Sequence, residues 1–168
     1  MVDQLVQWFS GLPKTWITAL LSMLPVTELR AAIPWALAGP PYGGGLPWYE
    51  ALAFAALGNM VPVVPLLLLL EHGYHRLKRH PWWDRAFEKV LARTRQKGKV
   101  VEKYRALGLA LFVGVPLPGT GAWTGALAAF VFGIPFRYAL PAIAAGVLIA
   151  GIVVTLASLG IIGVFRAI

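Results

Sequence analysis

The stretch "LPVTELRAAIP", Leu24 to Pro34, decides how the whole chain is read. It lies between "WITALLSM" and "WALAG", which are almost wholly apolar. In its middle sit a carboxylate, Glu28, and a guanidinium, Arg30, bracketed by Pro25 and Pro34. A charge at bilayer depth costs about 2.5–3.5 kcal/mol even on lenient insertion scales. Two prolines oppose a regular helix through the same place. Three accounts are open: a charged centre in a polar cavity, a buried ion pair that only pins the chain, or a segment in surface water. The surrounding sequence narrows them.

The chain has 168 residues, 58% of them hydrophobic, and a mean hydropathy of +0.70. That is well above a soluble globular domain. Seven Trp and eight Phe suit helix ends placed in two lipid interfaces. Cysteine is absent, so no disulfide framework or thiolate chemistry is expected. The first residues, "MVDQLVQWFSGLPKTW", lack a basic region and a cleavage site, so they do not read as a signal peptide.

The net charge of +8 would point to nucleic acid in a soluble protein, but its placement argues otherwise. Most of the cations lie between Arg76 and Arg105, with nearly charge-free flanks. A basic segment between membrane segments is the positive-inside signature and places this one in the cytoplasm. It would also attract anionic headgroups. No nucleic-acid motif accompanies it. Trp83, Phe87, Val90 and Leu91 share one helical face there, which predicts a helix lying on the membrane surface.

Along the chain, residues 1–16 predict an interfacial helix ending near Gly11 and Pro13. Residues 17–38 form an apolar stretch broken at Pro25 and Pro34. "GPPYGGGLP", Gly39 to Pro47, is a loop. Trp48 to Leu70 is one bilayer crossing. A second interrupted stretch, Ala106 to Gly133, carries "PLPGTG" at its centre, and Tyr138 to Val164 is a charge-free spanning helix. The expected organisation is a single integral membrane domain, 1–168. Its first half is 1–71, its cytoplasmic basic segment 72–105 and its second half 106–168.

The halves match. "GLPWYEALAFAALG" (Gly45 to Gly58) lines up without a gap on "GIPFRYALPAIAAG" (Gly133 to Gly146). Interrupted apolar segments at corresponding positions of two halves point to a transporter-like inverted repeat. With one crossing per half, each broken stretch can enter the membrane and return, since irregular backbone at depth is tolerated where protein or water covers it. The expected fold is therefore an all-α membrane protein. It is an inverted repeat of two halves, each a re-entrant helical hairpin and a transmembrane helix.

Candidate site residues follow from that frame. Arg30 would grip an anionic group, and Glu28 would be its titratable partner, with Thr27 beside them. In the second tip Pro118 prevents a regular helix, and Gly119 and Gly121 let backbone and ligand approach closely. Thr120 offers a hydroxyl, and the N–H groups from Thr120 to Ala122 offer an anion nest. Gly121 and Gly125 also form a small-xxx-small packing pair. Asn59, inside the first span, is expected to hydrogen-bond a neighbouring helix, with a cavity role as the alternative. His72, His75 and His80 lack companions that would complete a metal site. No paired catalytic constellation is present, so neither an enzyme nor a cofactor is expected.

"PVTELRAAIPWALAG" and "PLPGTGAWTGALAAFVFG" together resemble the small multidrug export family of prokaryotic membrane proteins, over nearly the whole chain. That family in turn resembles the DedA superfamily. Its Pro-x-(Ser/Thr)-Glu tip is matched by Pro25, Thr27 and Glu28. Its Pro-Gly-x-Arg tip is matched by Pro118 and Gly119, with Gly121 where the arginine would stand. The resemblance implies opposed re-entrant hairpins and lipid-phosphate transport or scrambling in the inner (plasma) membrane, with proton coupling as an option. Arg30, on the opposite tip, is our candidate for the missing charge. Export of small cationic compounds through Glu28 and a non-transporting scaffold remain the alternatives. The expected partners are the bilayer and an anionic lipid or small-molecule substrate. Two spanning helices make a thin wall, so a homodimer is also expected.

Overall fold

The computed structural model describes residues 11–77, 99–117 and 120–167, with side chains for 11–71, 104–117 and 120–161. The described residues are helical and contain no strand. The helices are α1 (Lys14–Met23), α2 (Glu28–Leu37), α3 (Trp48–Met60), α4 (Val63–Leu77), α5 (Lys99–Gly114), α6 (Ala122–Val131) and α7 (Phe136–Ala167). The amphipathic readings over residues 1–10 and around Trp83 lie outside the described residues.

Two stretches, Trp48–Glu71 and Phe136–Ile161, are long and apolar enough to cross a bilayer. Their surfaces favour lipid over a soluble core. Leu57 and Leu156 are each 66% exposed, as are most of the large side chains around them to a lesser degree. A water-soluble chain rarely presents so much contiguous apolar surface. The buried faces carry small residues: Ala51, Ala55 and Ala56 on α3, and Ala139, Ala142 and Ala150 on α7. Small side chains allow the close helix approach that drives association in lipid.

The chain divides into two compact units. One holds residues 1–61 and 148–168, and the other holds residues 62–147. In the first unit α1, α2 and α3 pack together. Ser22 Oγ donates to Ala55 O (2.6 Å), tying α1 to α3. In the second, α6 packs on α4 and on α5. The first span is not one regular helix. It is interrupted at Val61–Pro62, where Pro62 and Pro65 supply no N–H to the helix ladder. Pro34, expected to break the chain, instead sits inside α2. It carries no N–H for the carbonyl of Arg30. A reversal falls only at residues 24–27.

The sequence match between the halves is matched by local geometry. Gly45 and Gly133 both have positive φ, +67° and +62°. There a side chain would be strained. The following Leu46 and Ile134 donate back into the preceding helix, to Ala36 O and Ala129 O, each at 2.8 Å. Pro47 and Pro135 then open the long helices, accepting from Ala51 N and Ala139 N at 3.0 Å in both places. The aligned Gly58 and Gly146 close the correspondence. A Cβ at Gly58 would lie 2.2 Å from Ala19 O of α1, and one at Gly146 would lie 2.7 Å from Ala110 O of α5. Each long helix thus rests against the first arm of the hairpin in its own unit.

Gly58→Ala and Gly146→Ala should each destabilise the protein by about 1–3 kcal/mol, because backbone rather than a flexible side chain blocks the methyl. At Gly160, in open space on α7, the same change should be neutral or stabilising by up to about 1 kcal/mol. Thermal unfolding in detergent compares the three. Equal effects at all three positions would contradict the packing.

Candidate functional site

The first hairpin is built by a tip of four residues. Thr27, buried, turns its hydroxyl back onto Leu21 O of α1. Glu28 N donates to Leu24 O (2.9 Å), and Ala31 N to Thr27 O (3.1 Å), which starts α2. Glu28 is therefore the first residue of the second arm, with φ +44°. A non-glycine residue in that region is uncommon and costs of order 1 kcal/mol or more. Its carboxylate lies where a helix N-terminus favours negative charge.

The pair of charges does not sit on an irregular tip between two prolines, as the sequence suggests. It occupies the first turn of α2, because only Pro25 interrupts the helix and Pro34 is absorbed into it. Glu28 is 7% exposed. Arg30 is half-buried and feels the Glu28 carboxylate electrostatically. Two residues apart on a helix, they do not stack on one face. The carboxylate is inside and the guanidinium is the more accessible of the two.

The second hairpin repeats the device with neutral residues. Its first arm is the apolar end of α5, set off by a kink at Arg105, where φ is +47°. Thr120, buried, directs its hydroxyl at the carbonyls of Val115 and Leu117, both at 2.8 Å, as Thr27 does in the first. Its N–H donates to Leu117 O (3.1 Å), which removes it from the expected anion nest. Gly121 is buried and precedes α6. Gly125 packs on Val113 and Ile143, so the small-xxx-small reading finds contacts there. Pro118 and Gly119 lie outside the described residues.

Of the eight candidates, Thr27, Glu28 and Arg30 come together on one tip, and Thr120 and Gly121 on the other. Asn59 belongs to the first unit and is wholly buried. Neither its Nδ2 nor its Oδ1 has a hydrogen-bond partner among the described residues, so the expected interhelical bond is not made. The Ser22 bond to α3 was not foreseen. Its signal is a pair of hydroxyls, Thr18 and Ser22, four residues apart on the buried face of α1. Among the described residues no group of acidic or histidine side chains is placed to hold a metal.

The sequence profile of one protein family, described as "Putative small multi-drug export protein", matches residues 28–153. The match begins at Glu28, takes in the charge pair and both long helices as far as Val153, and covers most of the chain. No curated protein and no solved structure matches.

Thr27→Val should lower stability by about 1–3 kcal/mol, since it leaves Leu21 O without its hydroxyl donor, and Thr120→Val by about 1 kcal/mol, since Val115 O and Leu117 O keep the donors Leu117 N and Thr120 N. Thr124→Val, at a half-buried hydroxyl 3.2 Å from Gly121 O, should cost less. Unfolding midpoints in detergent test the order. A Thr27→Val protein as stable as the parent would mean that the hydroxyl does not hold the tip.

Proposed function

The chain belongs to the small multi-drug export family, and from that premise we propose that it is a membrane transporter whose first hairpin tip binds an anionic amphiphile, a lipid phosphate above all. One observation carries the substrate class. Of the two coupled charges on α2, the carboxylate of Glu28 is buried and the guanidinium of Arg30 is the more exposed. A ligand meeting this tip meets a cation. Arg presents a planar fork that matches two phosphate oxygens at once. Glu28 behind it holds the fork in place and is the group through which protons would be coupled.

The finer architecture belongs to the same proposal. Arms α1, α2 and α6 have ten residues each. At 1.5 Å per residue each is about 15 Å long, half of a hydrocarbon core of about 30 Å. Arms of that length enter and return; they do not cross. With one crossing per half, the second half is inverted relative to the first. The basic segment then lies on the cytoplasmic side of the inner membrane. The equal turn geometry at Gly45 and Gly133 supports two copies of one unit.

Proteoliposomes loaded with a fluorescent polyprenyl phosphate test the reading. Arg30→Ala should slow transbilayer movement at least tenfold. Arg30→Lys, which keeps the charge without the fork, should fall between it and the parent. Glu28→Gln should flatten the pH dependence before it weakens binding, if protons drive the movement. Normal lipid movement by a folded Arg30→Ala protein would overturn the proposal. Efflux of a cationic dye lost only in Glu28→Gln would favour export of cationic compounds through the carboxylate instead.

A further inference from the structure

In the second unit, the end of the first span and the turn that opens α7 enclose a cavity of about 310 Å³. Its walls include Leu67, Phe130, Ile134 and Phe136, and its one acidic wall residue is Glu71. The volume is at the lower end of those that take small molecules. Apolar walls, two aromatic rings and a single carboxylate form the chemistry that recognises a positive charge on an apolar body. The carboxylate supplies the counter-charge, and ring faces attract a cation within about 6 Å.

The cavity is not an accident of one loop. The offset that carries Gly45 onto Gly133 also carries Leu67, Glu71 and Trp48 onto Thr155, Leu159 and Phe136. Trp48, Thr155 and Leu159 line a second cavity, of about 210 Å³, in the first unit. The equivalent place in each unit is thus hollow. What differs is the residue at the equivalent helix position: Leu159 in one, Glu71 in the other. An exposed leucine there is ordinary beside lipid. A carboxylate lining the equivalent apolar hollow is a chemical specialisation of the second unit.

We infer that the Glu71 cavity is a binding site for a small organic cation with an apolar body. This site is separate from the charge pair on α2 and does not rest on the lipid-phosphate reading. Glu71 neutralises the cationic centre, and Phe130 and Phe136 cover its apolar part.

The test is equilibrium dialysis of the purified full-length protein in detergent against a tritiated benzyltrialkylammonium ion, with its uncharged carbon isostere as competitor. The parent should bind saturably, and the isostere should compete poorly. Glu71→Gln should weaken binding at least tenfold. Glu71→Asp should recover part of the loss. Phe136→Ala, an independent variant of the same cavity, should weaken binding three- to tenfold. Arg30→Ala and Glu28→Gln should stay within twofold of the parent, so this outcome separates the cavity from the tip on α2. Glu71 is exposed, so its conservative variants are expected to fold, and size-exclusion profiles verify that. Absence of saturable binding by the parent would overturn the inference. So would parent-like binding by Glu71→Gln and Phe136→Ala, or loss of binding in Glu28→Gln alone.

Discussion

The closeness of each long helix to the first arm of a hairpin is the constraint on which the other features depend. Gly58 brings α3 against the backbone at Ala19, and Gly146 brings α7 against the backbone at Ala110. In lipid no hydrophobic force draws helices together, so packing of small surfaces has to hold them. Once an arm lies that close, its polar backbone is covered by protein. The tip threonines complete the arrangement by donating to carbonyls at the ends of the arms. A hydroxyl that bonds the preceding arm replaces a helix N–H that the reversal has removed.

Much of this was legible because the signals were local. The gapless match from Gly45 to Gly58 marks positive-φ turns, proline starts and packing glycines at their equivalent positions. Those three features need particular residue types, so they survive in sequence. The charge run ends at Arg105, and α5 is kinked at that residue. Proline was the poorer guide. Pro25, Pro34, Pro62 and Pro65 look alike on paper. Pro34 is absorbed within α2 and Pro65 within α4, whereas the first span is interrupted at Pro62. A proline removes one bond and adds one clash; whether the helix continues depends on what else holds the chain, and that is tertiary.

The candidate site was legible by residue type and less so by role. Glu28 and Arg30 were conspicuous because charge among apolar residues has few harmless explanations. Their position on the first turn of a helix was not, since it depends on Pro34 being tolerated. Thr27 and Thr120 were read as hydroxyls offered to a ligand, yet both are engaged with backbone. Glu71 passed unnoticed because it stands where charge resumes after a hydrophobic run, as any helix end does. Only the cavity in three dimensions, and its neutral counterpart at Leu159, gives it a different meaning.

The two units share local turn geometry and differ in where they carry charge. In the first unit the hairpin tip is charged, through Glu28 and Arg30, and the cavity of Trp48, Thr155 and Leu159 has no ionisable side chain in its walls. In the second unit the described tip residues are neutral, and the cavity holds Glu71. Elements of identical chemistry would bind a ligand equally in both units. A ligand shifts a conformational equilibrium only by the difference in its affinity for the states involved. Where two units share their turn geometry, that difference has to come from residues that do not match. The charged positions are therefore where the two units differ chemically, while the matching glycines and prolines shape the turns and helix contacts common to both.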